Sequence, residues 1–192
     1  QRMVPRTTFM AALLAVTGMA AAADIENQPA QMMPLASKSL LLDVANAGSR
    51  FVAVGERGHI LASVDGHQWA QANVPTRATL TAVTFADAEH GWAVGHDAVI
   101  LATEDGGQNW TLQNFEPDLE KPFLDVMFLS PTRGFAIGAY SLFYETIDGG
   151  ESWTEHDTPA RDDEWHFNAI ERLNNGTLVI VGESGTVAVS RD

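Results

Sequence analysis

The stretch "TEDGGQNW", Thr103 to Trp110, sets an acid beside two glycines and closes on a tryptophan. An aspartate so placed can be a catalytic carboxylate, a cation ligand or the staple of a turn. The element returns as "TIDGGESW" (Thr146 to Trp153) and, shortened, as "SVDGHQW" (Ser63 to Trp69). The sequence stops on "SRD", Ser190 to Asp192, where a further copy would begin, so the chain is expected to be part of a longer gene product. At the start of a tight turn an aspartate accepts backbone N–H bonds. The following glycines reach positive φ without a steric cost. A tryptophan opening the next strand can bury its ring and still find an acceptor for its N–H. The structural set is therefore Asp65, Trp69, Asp105, Gly107, Trp110, Asp148, Gly150 and Trp153.

Catalysis by these acids needs two carboxylates within about 5–10 Å, whereas each acid here belongs to its own repeat. The spaced acids and closing glutamate of an EF-hand loop are missing. The six histidines include no His-x-x-x-His pair, so zinc spacing is lacking as well. The expectation is no catalytic residue, no metal and no cofactor.

Two independent markers give the repeat length. Trp69, Trp110 and Trp153 are spaced by 41 and 43 residues. Gly55, Gly95, Gly138 and Gly182, which close "VAVG", "WAVG", "FAIG" and "VIVG", are spaced by 40, 43 and 44. Within a unit, short runs rich in Val, Ile, Leu and Phe alternate with Gly, Asp, Asn or Pro turns, as in "LDVMFLS", "FAIGA", "SLFYET" and "SWTEH". Such runs read as strands, and about 40–45 residues with four strands is the unit of a β-propeller blade. The fold class is all-β, a propeller of four-stranded antiparallel blades with about 3.5 to 4 blades present. The blades span 40–76, 80–114, 123–157 and an incomplete 166–192. Residues 24–39 form a lead-in able to supply a strand to the last blade of a closed ring.

The turn after each "VG" falls at the same place in every blade. These inner turns carry Glu56, Arg57, His96, Asp97, Tyr140 and Glu183, a mixed polar set suited to a peptide partner. Residues 1–23 have the layout of a secretory signal: Arg6, an apolar run from Phe9 to Met19, then small residues up to Ala23. The run is too short for a membrane span, which takes about 20 residues. The expected location is exported, periplasmic or secreted. Formal charge is −14, and loss of Arg2 and Arg6 with the signal makes it −16. Nucleic acid is excluded as a partner, because phosphate binding needs clustered Lys and Arg. With no cysteine, neither a disulfide nor a lipid-bearing thiol is available, and stability must come from packing.

The repeated element resembles the Asp-box of BNR repeats. Within that group "GWAVGHDAVILATEDGGQNWTLQ" (Gly91 to Gln113) and "VGERGHILASVDGHQW" (Val54 to Trp69) are similar to the photosystem II assembly and stability factor-like branch. The resemblance implies an exported, non-catalytic propeller that binds a protein and assists a membrane-associated complex. In phototrophs that complex is photosystem II; in non-photosynthetic bacteria similar proteins are often encoded near efflux-type transporters. It also implies a basic patch on the ring, which is thin here, since Arg57 is the only arginine of the four inner turns. The alternative is a sialidase-like glycoside hydrolase, which shares Asp-boxes. It would need three clustered arginines, a tyrosine nucleophile with a glutamate, and an acid/base aspartate. The chain offers Tyr140 and Tyr144 but no Phe/Tyr-Arg-Ile-Pro motif, so those residues would have to lie in other blades.

Overall fold

The computed structural model describes residues 27–158 and 163–190; the signal-like segment 1–23 lies outside them. Four antiparallel sheets follow one another along the chain. The first contains β1 (Leu41–Asn46), β2 (Phe51–Gly55), β3 (Ile60–Ser63) and β4 (Ala70–Gln71). The second contains β5 (Leu80–Phe85), β6 (Gly91–Gly95), β7 (Ile100–Thr103) and β8 (Thr111–Asn114). The third contains β9 (Phe123–Phe128), β10 (Gly134–Gly138), β11 (Phe143–Thr146) and β12 (Thr154–Glu155). The fourth, of three described strands, contains β13 (Phe167–Arg172), β14 (Leu178–Gly182) and β15 (Val187–Val189). Each sheet pairs its strands in sequence order, the meander of a propeller blade.

Successive blades stack through their first strands, β1 on β5, β5 on β9 and β9 on β13. The core therefore lies between sheets. Val52, Val54 and Ile60 of the first blade meet Leu80, Val83, Val99, Leu101 and Trp110 of the second. Trp92, Val94 and Ile100 of the second meet Phe123, Val126, Leu142 and Tyr144 of the third. Phe135 and Ile137 of the third meet Phe167 and Ile170 of the fourth. Strands β6 and β10 are buried along their whole length, because a blade covers each face; that is why they read as unbroken apolar runs. The outer faces of the first and fourth blades are open. Leu42 and Val44 are exposed in β1, and Val187 and Val189 in β15.

Polar side chains tie blade to blade near the first strands. Asp43 Oδ2 accepts the Val83 N–H at 2.8 Å, and Asp125 Oδ2 accepts the Ile170 N–H at 2.8 Å. Between these two, Thr81 Oγ1 donates to the Phe123 carbonyl at 2.7 Å. A register shift interrupts β1 and β5 beside Asp43 and Thr81; such bulges re-aim a side chain out of its own ladder. Burial pushes the Asp125 carboxyl up from its ordinary value, against the pull of the Ile170 and Val126 amides.

The described part of the lead-in does not join the fourth blade. It runs along the end of the first. Ala30 N–H donates to the Val74 carbonyl at 2.9 Å, Met33 N–H to Gln71 Oε1 at 2.9 Å, and Arg77 Nε to the Pro29 carbonyl at 3.1 Å.

Candidate functional site

The Asp-box turns join the third and fourth strands of each blade, and the geometry explains each residue. Asp105 Oδ1 accepts the N–H groups of Gln108 and Asn109, both at 2.9 Å, and the Thr103 hydroxyl at 2.9 Å. Gly106 and Gly107 have φ of 70° and 88°. A Cβ on Gly107 would come within 2.9 Å of Val52 in the preceding blade. The turn is thus pressed against its neighbour. Trp110 is 5% exposed, donates its N–H to the Gly107 carbonyl at 3.1 Å and meets Phe85 edge-on. Asp148 repeats the scheme with Thr146 and Ser152. Trp153 lies edge-on to Phe128, but its indole nitrogen is buried with no partner. Asp65 accepts from His67 and Gln68 at 2.8 Å, and Trp69 is half-buried.

Hydrogen bonding sets the charge state of these acids. The Ser152 hydroxyl and N–H, with the Thr146 hydroxyl, hold Asp148 down at about 2. The Gln68 and His67 amides lower Asp65. Burial pushes Asp105 up, but the Asn109, Thr103 and Gln108 donors outweigh it and the carboxyl is lowered. Each carboxylate is held ionised and engaged by its own turn, so it is a weak base towards a substrate proton. Among the described residues no group of three or more His, Cys, Asp or Glu could hold a metal ion.

The inner turns occupy the opposite edge of the blades, between the second and third strands, as single 3-10 turns at 56–58, 96–98, 139–141 and 183–185. The middle residue is left-handed in all four: Arg57, Asp97, Tyr140 and Ser184, with φ between 54° and 59°. Non-glycine residues adopt that region at a cost, and in the second and third blades contacts to the link before the next blade hold them there. Glu116 N–H donates to the Asp97 carbonyl at 2.9 Å. Tyr140 N–H donates to His166 Nδ1 at 3.0 Å, and the two rings meet edge-on at 4.7 Å. Arg57, His96, Tyr140 and Glu183 are exposed; Glu56 and Asp97 are half-buried. The turns share one edge of successive blades, and those of the second and third blades are clasped to the link that follows them.

Sequence reasoning missed Asp43, Thr81 and Asp125, whose partners lie 40 to 45 residues away. It also missed His59, which follows the first inner turn and is fully buried. The equivalent places in the next two blades hold Val99 and Leu142; an alignment of the four "VG" segments carries that signal.

With this geometry in place, known proteins supply the family. The family model for the photosynthesis system II assembly factor Ycf48 matches residues 60–120 and 112–192. The chain belongs to this family. A chloroplastic photosystem II stability/assembly factor HCF136 from Cyanidioschyzon merolae is 35% identical over 92 residues, covering 44% of this chain and 21% of the relative. A solved structure titled as Ycf48 bound to D1 peptide superposes with a TM-score of 0.62 at 22% identity, over 78% of this chain and 50% of that one. The chain thus spans about half the length of that Ycf48. A GH74 xyloglucanase from Xanthomonas campestris superposes with a TM-score of 0.58 at 15% identity, over 77% and 28% of the two chains. At such identities the likeness is one of fold, and the β-propeller expected from the repeat is the architecture found.

Proposed function

We propose that this chain is an exported, non-catalytic propeller module that binds a protein and assists the assembly or stability of a membrane-associated complex, photosystem II or a transporter assembly. The observation that carries this reading is the family match over both halves of the chain, joined by a structural neighbour whose title describes a bound D1 peptide. The likeness to a chloroplastic stability/assembly factor and the signal-like layout of residues 1–23 support export. The Asp-box acids support a scaffold role, since their oxygens are taken up by turn donors. Partner contact is assigned to the inner-turn edge through Glu56, Arg57, His96, Asp97, Tyr140 and Glu183. Exposed arginine and tyrosine are the residue types that most often dominate protein interfaces.

The test is capture of solubilised membrane proteins of the host by the immobilised chain, with titration of a D1 peptide in parallel. Arg57→Ala and Tyr140→Ala should each weaken capture, while the thermal transition stays in place. Unchanged capture removes the inner-turn edge from the reading. D1 peptide binding assigns the partner to photosystem II, and capture without it assigns a different complex. Hydrolysis of a fluorogenic sialoside or of xyloglucan would overturn the non-catalytic reading.

A further inference from the structure

Of the five arginines among the described residues, two line one small cavity. It lies at the inner-turn edge of the first blade, holds about 240 Å³, and is lined by Gln31, Met33, Arg57, His59 and Arg77. No carboxylate lines it, although acids outnumber bases 25 to 11 in the chain. Glu56, beside Arg57 in the same turn, turns its Oε1 to the Leu40 N–H at 3.2 Å, although its charge still reaches the His59 ring. Arg133, by contrast, is paired with Glu145 at 3.0 Å.

The floor of the cavity is His59. It is fully buried, and both of its ring nitrogens lack a partner. An imidazole in that condition forfeits its bonds to water and gains none in return. The next two blades avoid this with Val99 and Leu142 in the equivalent place, and opposite them Arg57 becomes Asp97 and Tyr140. Only the first blade combines a polar floor with two cations, and the lead-in closes the combination off. Arg77, which lines the cavity, spends its Nε on the Pro29 carbonyl, and its terminal N–H groups have no hydrogen bond among the described residues. Two guanidinium groups facing one space repel each other, and an acceptor-only group between them relieves that repulsion while supplying the partner that His59 lacks.

We propose that the Arg57–His59–Arg77 cavity is a binding site for one compact oxyanion, a carboxylate or a tetrahedral phosphate or sulfate. The guanidinium groups supply charge-assisted donors at the rim and the His59 ring supplies an N–H from the floor. The site needs no particular protein partner, so it stands or falls apart from the function proposed above. Gln31 and Met33 of the lead-in wall the same cavity, so the lead-in limits the size of the anion that fits.

The test is titration of the intact chain with sodium acetate, inorganic phosphate and a short glutamate-containing peptide. It is followed by calorimetry and by the His59 ring signals in nitrogen-correlated NMR. Saturable binding of at least one probe is expected, with His59 signals shifting on the same isotherm. Arg57→Gln, which breaks no hydrogen bond within the described residues, should weaken binding at least about tenfold, the size of one lost charge-assisted hydrogen bond. Arg77→Gln should do likewise, and Arg50→Gln, at the other edge of the blade, should change nothing. Acetate without phosphate binding marks the site as a carboxylate socket, and the reverse marks it as a phosphate or sulfate site. Tighter binding of the peptide than of acetate identifies a protein side chain as the source. No saturable binding of any probe, or binding that survives both arginine changes, overturns the proposal.

Discussion

Among the described residues, the seams between the first three blades show an Asp-box contact, whereas the seam before the fourth shows first-strand contacts and a cavity. In the first two, an Asp-box turn presses on the preceding blade. Its tryptophan sits edge-on to a phenylalanine of its own blade, Trp110 to Phe85 and Trp153 to Phe128, and packs into the apolar cluster shared with the preceding blade. Glycines make the room, since a Cβ on Gly91 or Gly134 would collide with the Phe85 or Phe128 ring. Between the third and fourth blades no described residue plays the part of that tryptophan. A cavity of about 470 Å³ lies there, lined by Phe143, His156, Trp165, Phe167, Ile180 and Ala188 among others. Thr186 stands where Val99 and Leu142 stand in the second and third blades, and its hydroxyl is buried without a partner. A propeller seam is thus sealed in two parts, an inner part by the first strands and an outer part by the Asp-box tryptophan.

Removing a seal should cost most. Trp110→Ala should lower stability by about 3–5 kcal/mol, the range for deleting a buried large aromatic, measured by urea unfolding. Trp153→Ala should cost less, because its indole N–H has no partner to lose. Equal losses would mean that ring burial alone matters. Next comes the turn itself: Asp105→Ala should cost about 1–3 kcal/mol by stranding the Gln108 and Asn109 amides. Solvent access should place the loss near the lower end of that range.

Acid should open the Asp-box side of the comparison. Asp65, Asp105 and Asp148 have folded values below the ordinary 3.8. Their contribution is therefore fully present above that value and is lost as pH falls through the folded values, about 2 for Asp148. Asp125, whose value is raised, acts in the opposite sense: ionising it costs stability, and acid relieves that cost. Unfolding curves between pH 5 and pH 2 (a range of about 1–5 is where lowered carboxylates act) should steepen with acid and flatten in Asp148→Asn. A curve unchanged by that substitution would remove the turn from the acid response. The smallest effect is expected at the open seam. Thr186→Val replaces a buried, unpartnered hydroxyl with the group found in the second blade and should stabilise by about 1 kcal/mol, read from the thermal midpoint.

Much of this was legible before any coordinates. The Asp-box spelled out its own fold because Asp105, its amide donors and Gly107 lie within five residues, so short-range hydrogen bonds and positive φ decide the outcome locally. The strands were legible for a related reason: an apolar run ended by "VG" and a turn has one sensible strand assignment. The site was less so. Arg57 was visible as the lone arginine of the inner turns, but nothing local tied it to Arg77, twenty residues on, or to a buried His59.

The sequence by itself determined the repeat, the strands and the family likeness, because each depends on neighbours in the chain or on a period. Only the tertiary structure decided which blade each turn presses on, that Asp43 and Asp125 strap one blade to the next, and that the described part of the lead-in borders a basic cavity on the first blade. Those outcomes depend on contacts between segments some 40 residues apart, where chain neighbours carry no information and only packing brings the partners together.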